Sequence, residues 1–501
     1  MGRPRCAPGV SRARTQLWAL LRGLPWYRFA AGAVAGGAGL LVTFLLRAFG
    51  LGVFVPEVAV DFAVGRIPGA IESFFIRSLG EGAKLLALAT AVIVFLVLPG
   101  AYAVFYRRVQ RWLKNRWLGM AFYTFSSAGI LLLVVLPLLG EGLLGSSSSV
   151  GAGFAVFSQL VGSWIYAAVL DYFLVDVAAE YPAGFSLSRR QFVIGSVGAI
   201  AVAALTVYGL ASLVAKKGRL AFASFADMMN REVTPTGEFY VVTKNVIDPA
   251  VAASTWQLGV GGLVSTATTY TYRNLLDMVA TNDPSVVEEF VTLECVSNEV
   301  GGNLISTASW KGVRLASLLQ TAGLDPNADW IVFTCADGYT AGIPLAKALD
   351  PSTIVAVLMN NNQLTTAHGF PARIIVPGLY GMFHAKWLTK IEATQGEFLG
   401  YWQQKGWTNR GQIHTTAIIA TPADNAVVGS SVTIGGVAFA GDRGISTIEV
   451  STDGGLTWNP AAPQLPPKSN LTWVLWRYDW AERSEERRVG KECRSRWSPY
   501  H

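Results

Sequence analysis

Five long apolar runs dominate the first 215 residues, at roughly 29–49, 85–106, 117–139, 152–175 and 192–214. Each reaches the ~20 residues that a helix needs to cross the hydrocarbon core of a bilayer, so the pattern predicts five transmembrane helices. After residue 215 the pattern changes. Short runs rich in β-branched and aromatic residues, such as Trp330-Ile-Val-Phe-Thr-Cys335, alternate with turns over 237–412. Helices are expected at 285–289 and 313–321, which makes this stretch α+β. From 413 to 480 the runs 415–420, 431–434, 437–439 and 448–452 read as short strands, and Asp453-Gly454 is a hairpin signal. Their spacing predicts a β-sandwich.

Charge orients the apolar half. Arg3, Arg5, Arg12, Arg14, Arg22 and Arg28 lie in or at the end of the arm before the first run, and Arg107, Arg108, Arg111, Lys114 and Arg116 sit between the second and third. Cations beside spans hold loops in the cytoplasm. The arm (1–28), the loop 107–116 and the loop 176–191 are therefore expected inside. The mixed-charge loop 50–84 and the serine-rich loop 140–151 are expected outside. Five crossings put everything after 215 outside the cytoplasm, with Lys216, Lys217 and Arg219 as exceptions to the rule. The formal net charge of +7 is thus a topology signal, not a nucleic-acid footprint. Ser188-Arg189-Arg190-Gln-Phe192 resembles a twin-arginine export signal, and two arginines anchoring a helix end read equally well. Asp171 is expected as a carboxylate reaching the interface, with an intramembrane functional acid as the sharper alternative. The four histidines, His368, His384, His414 and His501, all follow residue 230, and there is no Cys-x-x-Cys-His, so no haem site is evident. An anchor or docking platform is the reading for this half.

The chain has four cysteines, Cys6, Cys295, Cys335 and Cys493, and they form no disulfide framework. Cys335 ends a β run and reads as a small buried residue. Cys295 differs: it lies in Thr292-Leu-Glu-Cys-Val-Ser-Asn298-Glu-Val-Gly301-Gly302, a polar turn closed by glycine. Gly259-Val-Gly261-Gly262-Leu-Val264 lacks the last glycine of a dinucleotide loop, and there is no Walker loop and no His-Glu-x-x-His.

Four segments, Phe239-Tyr240, Thr292–Gly302, Asp337–Ala346 and His368-Gly-Phe-Pro-Ala-Arg373 through Lys386-Trp387-Leu, together resemble the sulfite oxidase family of molybdopterin enzymes over about 237–480. The resemblance implies a Mo-molybdopterin cofactor with Cys295 as its thiolate ligand, a sensible soft donor for that metal. It implies cofactor contacts from Tyr240, Asp337, His368, Arg373, His384, Ala385 and Lys386. Arg373 suits a phosphate as a planar fork and Lys386 as a point charge. It also implies a small-molecule substrate, a separate electron-transfer partner, and a homodimer through an immunoglobulin-like domain at 413–482. Three features depart from the family. Val300 stands where sulfite oxidases have an arginine, and Trp407 where they have the active-site tyrosine. The segment around Val241 and Thr243 also lacks the expected arginine. Losing two or three cations from a buried anion site costs about 3 kcal/mol or more, which argues against sulfite. Trp407 reads either as a substrate contact or as packing.

The expected organisation is a basic cytoplasmic arm (1–28), a five-span region (29–215), a linker (216–236), the molybdopterin domain (237–412), an incomplete sandwich (413–482), and a tail (483–501). That tail, RSEERRVGKECRSRWSPYH, reads as a non-native extension or a basic interaction tail. The leading expectation is a membrane-anchored, extracytoplasmic molybdopterin oxidoreductase. The alternative is a catalytically silent tethered relative that acts in binding or assembly.

Overall fold

The computed structural model describes residues 25–67, 71, 82–148, 150–174, 222, 224–245, 248–429, 431–481 and 494–495. Most of the basic arm, the fifth apolar run at 192–214, Arg189-Arg190 and nearly all of 483–501 lie outside the described residues. The chain divides into two compact units, residues 1–216 with 244–247 and residues 217–243 with 248–501.

In the N-terminal unit four helices match the first four apolar runs: α1 (Pro25–Ala48), α3 (Gly82–Ala103), α5 (Arg116–Ile130) and α6 (Gly151–Leu174). A π turn at Leu131–Val135 carries α5 on to Leu138. All four are long and apolar enough to cross a membrane. Their outward faces carry large apolar side chains, among them Leu45, Ile93, Leu98, Phe125, Leu133 and Phe157. Such a surface suits lipid and is costly in water. Helix α1 meets α6 where a Cβ on Gly39 would stand 2.7 Å from the Gly162 carbonyl, so small residues let the two backbones approach.

Two short helices were not expected. Within the presumed loop 50–84, α2 (Val55–Arg66) forms, with Pro56 in its first turn and Val55 and Val60 buried. Glu57, which reads as a loop charge in the sequence, is buried, and both its carboxylate oxygens accept from one guanidinium edge of Arg47, from Nε and Nη2, each at 3.1 Å. The apparent cation loop folds as α4 (Tyr106–Leu113), stopped by Lys114 in the left-handed region. Asp171 corrects the expectation of a carboxylate at the interface. It is 1% exposed, accepts from Tyr106 Oη at 2.6 Å and pairs with Arg116 Nε at 2.7 Å.

The C-terminal unit contains two five-stranded sheets. One runs β2 (Thr268–Thr271), β1 (Gln257–Gly262), β10 (Leu388–Thr394), β5 (Trp330–Cys335), β6 (Thr340–Pro344), with β1 and β10 parallel. The other runs β3 (Val286–Glu294), β4 (Ile305–Arg314), β7 (Ile354–Met359), β8 (Asn362–Gln363), with β9 (Arg373–Ile375) also on β7. The expected helix at 285–289 is instead the start of β3, paired without a break to β4 from Val286↔Val313 to Glu294↔Ile305. Its β-branched and aromatic residues favour the pleated surface over a single helical turn. The other expected helix begins two residues late, as Leu315–Ala322, and Gly323 at φ +71° ends it.

The sandwich-like part has a four-stranded sheet, β11 (Thr416–Thr421), β12 (Ser431–Phe439), β16 (Val474–Ala481) and β15 (Ala462–Pro463). A three-stranded sheet pairs β13 (Glu449–Ser451) with β14 (Asn459–Pro460) and β17 (Arg494–Ser495). The runs 431–434 and 437–439 are one strand. Gly435-Gly436, which separates those two runs, permits close packing: a Cβ on Gly436 would stand 2.0 Å from the Ile418 carbonyl. Two residues of the tail, expected to have no strand pattern, pair with Val450 and Ser451. The stretch expected as a linker packs into this unit. Its helix Phe225–Met229 lies against Gly435, and Trp473 Nε1 donates to the Glu232 carbonyl at 2.9 Å.

Candidate functional site

Cys295 follows the last residue of β3 and opens the turn to β4. Its N–H donates to Leu304 O and its carbonyl accepts from Asn298 N, both at 2.9 Å. Asn298 organises the turn with its side chain, accepting from Leu304 N at 2.9 Å and donating to Glu294 Oε1 at 3.0 Å. Gly302 is required because a Cβ there would meet Asn298 Oδ1 at 2.5 Å. The thiol is 8% exposed, with Sγ 3.0 Å from Ser297 Oγ. Burial pushes the neighbouring Glu294 carboxyl up to about 7, and its Oε2 has no hydrogen-bond partner.

The segment from His368 to Lys386 folds back on itself. Gly369, at φ +100°, lets it do so: a Cβ there would lie 3.0 Å from Lys386 Cβ and 3.1 Å from Arg373 Cβ. Arg373 donates to the His368 carbonyl at 3.3 Å and the His384 carbonyl at 3.0 Å, and its guanidinium lies 4.9 Å over the Trp310 ring. Its Nε is buried with no partner, and burial pushes its pKa down to about 10. Lys386 Nζ donates to Ala367 O at 3.0 Å and sits 4.3 Å from the centre of the Trp387 ring. Trp387, at φ +52°, is a bulky residue held in a costly backbone conformation, pinned by Nε1 donating to Thr366 O at 2.9 Å. Ala385 is buried, and its carbonyl accepts from Ile374 N at 3.0 Å.

The two histidines divide. His368 contacts Thr236 O through Nε2 at 2.9 Å and stands edge-on to Phe239; burial pushes its pKa down to about 4 despite that contact, with Arg373 and Lys386 adding to the shift. His384 accepts from Val376 N at its Nδ1 (3.2 Å) and contacts Leu379 O through Nε2 (3.0 Å). Both ring nitrogens are spent on backbone, which fixes the neutral Nε2–H tautomer. Burial, then Arg373, pushes its pKa down to about 3. In the structure His384 serves as a strut, and its own carbonyl holds Arg373.

Tyr240 joins the two blocks. It is buried; burial first, then the nearby Cys295 sulfur, raises its pKa well above the usual phenol range, while Arg373 lowers it. Gly381 meets both blocks: a Cβ there would lie 2.6 Å from Tyr240 Oη, 3.3 Å from Glu294 O and 3.8 Å from Cys295 Cα. Tyr339 belongs to the same group, donating to Met382 O at 2.6 Å, with its ring 5.7 Å from that of Tyr401. Asp337 shapes the preceding turn by accepting from Tyr339 N at 3.0 Å. Trp407 is half-buried, and its backbone N–H donates to Trp402 O at 3.2 Å. Val300 is 79% exposed, so the position at which the resemblance expects an arginine faces solvent. Sequence reading singled out Cys295, Tyr240 and Arg373 but passed over Ser297, Glu294, Tyr339 and Gly381. The glycine lay in plain view inside Pro-Gly-Leu-Tyr-Gly-Met-Phe-His, but only close packing shows its purpose.

The donor set fits a molybdopterin. A soft thiolate sits in a turn, an arginine Nε and a carboxylate oxygen are buried without partners, and two glycines leave room where side chains would fill the space.

Residues 245–402 match the family described as oxidoreductase molybdopterin binding domain, and residues 409–489 match the Mo-co oxidoreductase dimerisation domain. Mitochondrial sulfite oxidase of Mus musculus is 31% identical over 255 residues, which is 42% of this chain and 46% of that protein. The Homo sapiens protein is 33% identical over 232 residues, 37% of this chain and 43% of that protein. Inducible nitrate reductase [NADH] 2 of Glycine max is 27% identical over 301 residues, 49% of this chain and 34% of that protein. The chain spans less than half the length of each of these three relatives.

Proposed function

Residues 245–489 belong to the sulfite oxidase family of molybdopterin oxidoreductases, and from that membership we propose that the chain is a membrane-anchored molybdenum oxidoreductase. Its cofactor half works outside the cytoplasm on a small substrate other than sulfite. The observation that carries this reading is the meeting of Cys295 and Tyr240 at Gly381, with the Arg373 charge close enough to act on the Tyr240 phenol.

Cys295 would hold molybdenum through its thiolate. Arg373 and Lys386 would hold the pterin phosphate, Arg373 with its unpartnered Nε and Lys386 as a point charge. Tyr240, His368, Asp337 and the backbone at Ala385 would line the pterin, while His384 positions Arg373. When bound, the cofactor supplies two-electron chemistry between Mo(VI) and Mo(IV). The chain's own residues bind, orient and exclude water. His368 and His384 stay neutral at physiological pH, so the fixed positive charge beside the site comes from Arg373 and Lys386. Both are committed to the cofactor, and Val300 brings no charge to the substrate side. This supports a substrate less anionic than sulfite. A separate one-electron partner and a homodimer through the dimerisation domain complete the proposal.

Four helices with outward apolar faces support the anchor. With the fifth apolar run as a further crossing, the cations at 107–116 set the inside face and put the C-terminal half outside.

The test is metal analysis with pterin fluorescence on the purified full chain, made in a host competent for the cofactor. One molybdenum per chain in the wild type and none in Cys295→Ser supports the enzyme. No metal in the wild type supports the silent tethered relative. Robust sulfite turnover by loaded protein overturns the substrate part alone.

A further inference from the structure

The turn between the second and third apolar helices gathers five cations, Arg107, Arg108, Arg111, Lys114 and Arg116, within ten residues. We propose that α4 and residues 114–117 form a binding site for the headgroup of an anionic phospholipid. This rests on the membrane reading above.

Helix α4 turns Tyr106 inward and leaves Arg108 and Arg111 exposed. Lys114 is exposed in a left-handed turn, and Asn115 caps α5 by accepting from Leu118 N at 3.1 Å, so the turn has a fixed shape. Arg28 reaches the same end of the unit, donating to Val104 O at 3.0 Å. Asp171 is the carboxylate beside this turn among the described residues, and it is already spent: it is 1% exposed, bonded to Tyr106 and paired with Arg116. Gln110 braces that contact, donating to Tyr106 Oη at 3.1 Å. The following inner loop adds Asp176 and Glu180 to the sequence, matched by Arg189 and Arg190. The cations of α4 thus keep their excess.

Two tryptophans select a lipid over a free anion. Trp112 is 73% exposed and Trp117 is 71% exposed, one on each side of Lys114. Exposed indoles cost solubility in water but settle at the level of lipid headgroups. Each Arg or Lys near an anionic membrane surface adds to the attraction, so Arg108, Arg111 and Lys114 together favour an anionic over a zwitterionic headgroup by at least about tenfold.

The full chain would be purified in detergent and placed in nanodiscs of phosphatidylcholine mixed with phosphatidylglycerol, with co-released lipids counted by native mass spectrometry. Phosphatidylglycerol should be retained about tenfold above its bulk share. The triple variant Arg108→Gln, Arg111→Gln, Lys114→Gln should retain both lipids in bulk proportion, while Arg273→Gln in the other unit should behave as wild type. Retention in bulk proportion by the wild type overturns the proposal without any variant, as does enrichment that survives the triple substitution. Displacement of the lipid by inorganic phosphate would make this a phosphate site and also overturn it. A chain that fails to fractionate with membranes refutes the membrane reading itself, a result separable from loss of lipid preference.

Discussion

Replacing Arg373 with Met should have opposite consequences in the empty and the loaded protein. The guanidinium is buried without a carboxylate partner, and burial holds its pKa near about 10. At about 1.4 kcal/mol per tenfold change in protonation, keeping that charge costs the empty fold about 3 kcal/mol. Against this stand two hydrogen bonds to the His368 and His384 carbonyls, at 3.3 and 3.0 Å, and the contact with Trp310. Together these are worth about 3 kcal/mol. The two sides nearly cancel, so the empty variant should melt within about 4 °C of the empty wild type. In the loaded protein the balance tips. A charge-assisted Arg–phosphate pair is worth about 3 kcal/mol, and its loss should lower cofactor retention about a hundredfold. The assay is scanning calorimetry on protein from hosts with and without the cofactor pathway, with pterin per chain measured after gel filtration. The reasoning fails if the empty variant melts more than about 10 °C low while pterin per folded chain stays at the wild-type level. Arg373 would then be a structural strut.

Acid should destabilise the cofactor unit through its two buried histidines. Their folded pKa values, about 4 for His368 and about 3 for His384, lie below the unfolded value of about 6.5. The unfolded chain therefore takes up protons first, and the stability present above about pH 6.5 is lost as pH falls, by about 2 kcal/mol per histidine at pH 5. Denaturant midpoints at pH 7 and pH 5 should diverge less in His384→Gln than in wild type, and equal divergence would remove His384 from the account. In the membrane unit, Arg116→Met should destabilise more than Asp171→Leu, by about 3 against about 1 kcal/mol in detergent melts. The first leaves a carboxylate only 1% exposed without its cation, whereas the second frees an arginine whose side chain is 39% exposed; the reverse order would show that Arg116 is only a surface anchor. Gly381→Ala should reduce molybdenum content with little change in the melting of the empty protein, because its Cβ would press on Tyr240 Oη at 2.6 Å. Full metal content in that variant would show that Tyr240 can move aside at no cost.

The sequence was most legible where chemistry and periodicity coincide. Twenty-residue apolar runs have one economical outcome, and four of them are helices within four residues of the expected ends. Signals that depend on a distant partner misled. Glu57 reads as a loop charge until Arg47, ten residues earlier, is seen to hold both its oxygens. Gly435-Gly436 reads as a gap between two short runs until Ile418 and Trp476 close on it. The charged α4 reads as a loop because its inward anchor, Tyr106, depends on Asp171 from another helix.

At the candidate site the residue types were legible and their division of labour was not. His368 and His384 are equivalent in sequence, yet only His384 has both nitrogens consumed by backbone. That use of both nitrogens has a structural return. The neutral ring fixes the loop whose carbonyl holds Arg373, and a protonated ring could not accept from Val376 N. The depressed pKa of His384 and the unpartnered Nε of Arg373 are therefore two parts of one arrangement. The histidine must stay neutral so that the arginine can stay charged, buried and aimed with one donor unspent. An anion that used this donor would relieve the cost of burying it, which is why the site's strongest demand is for its cofactor.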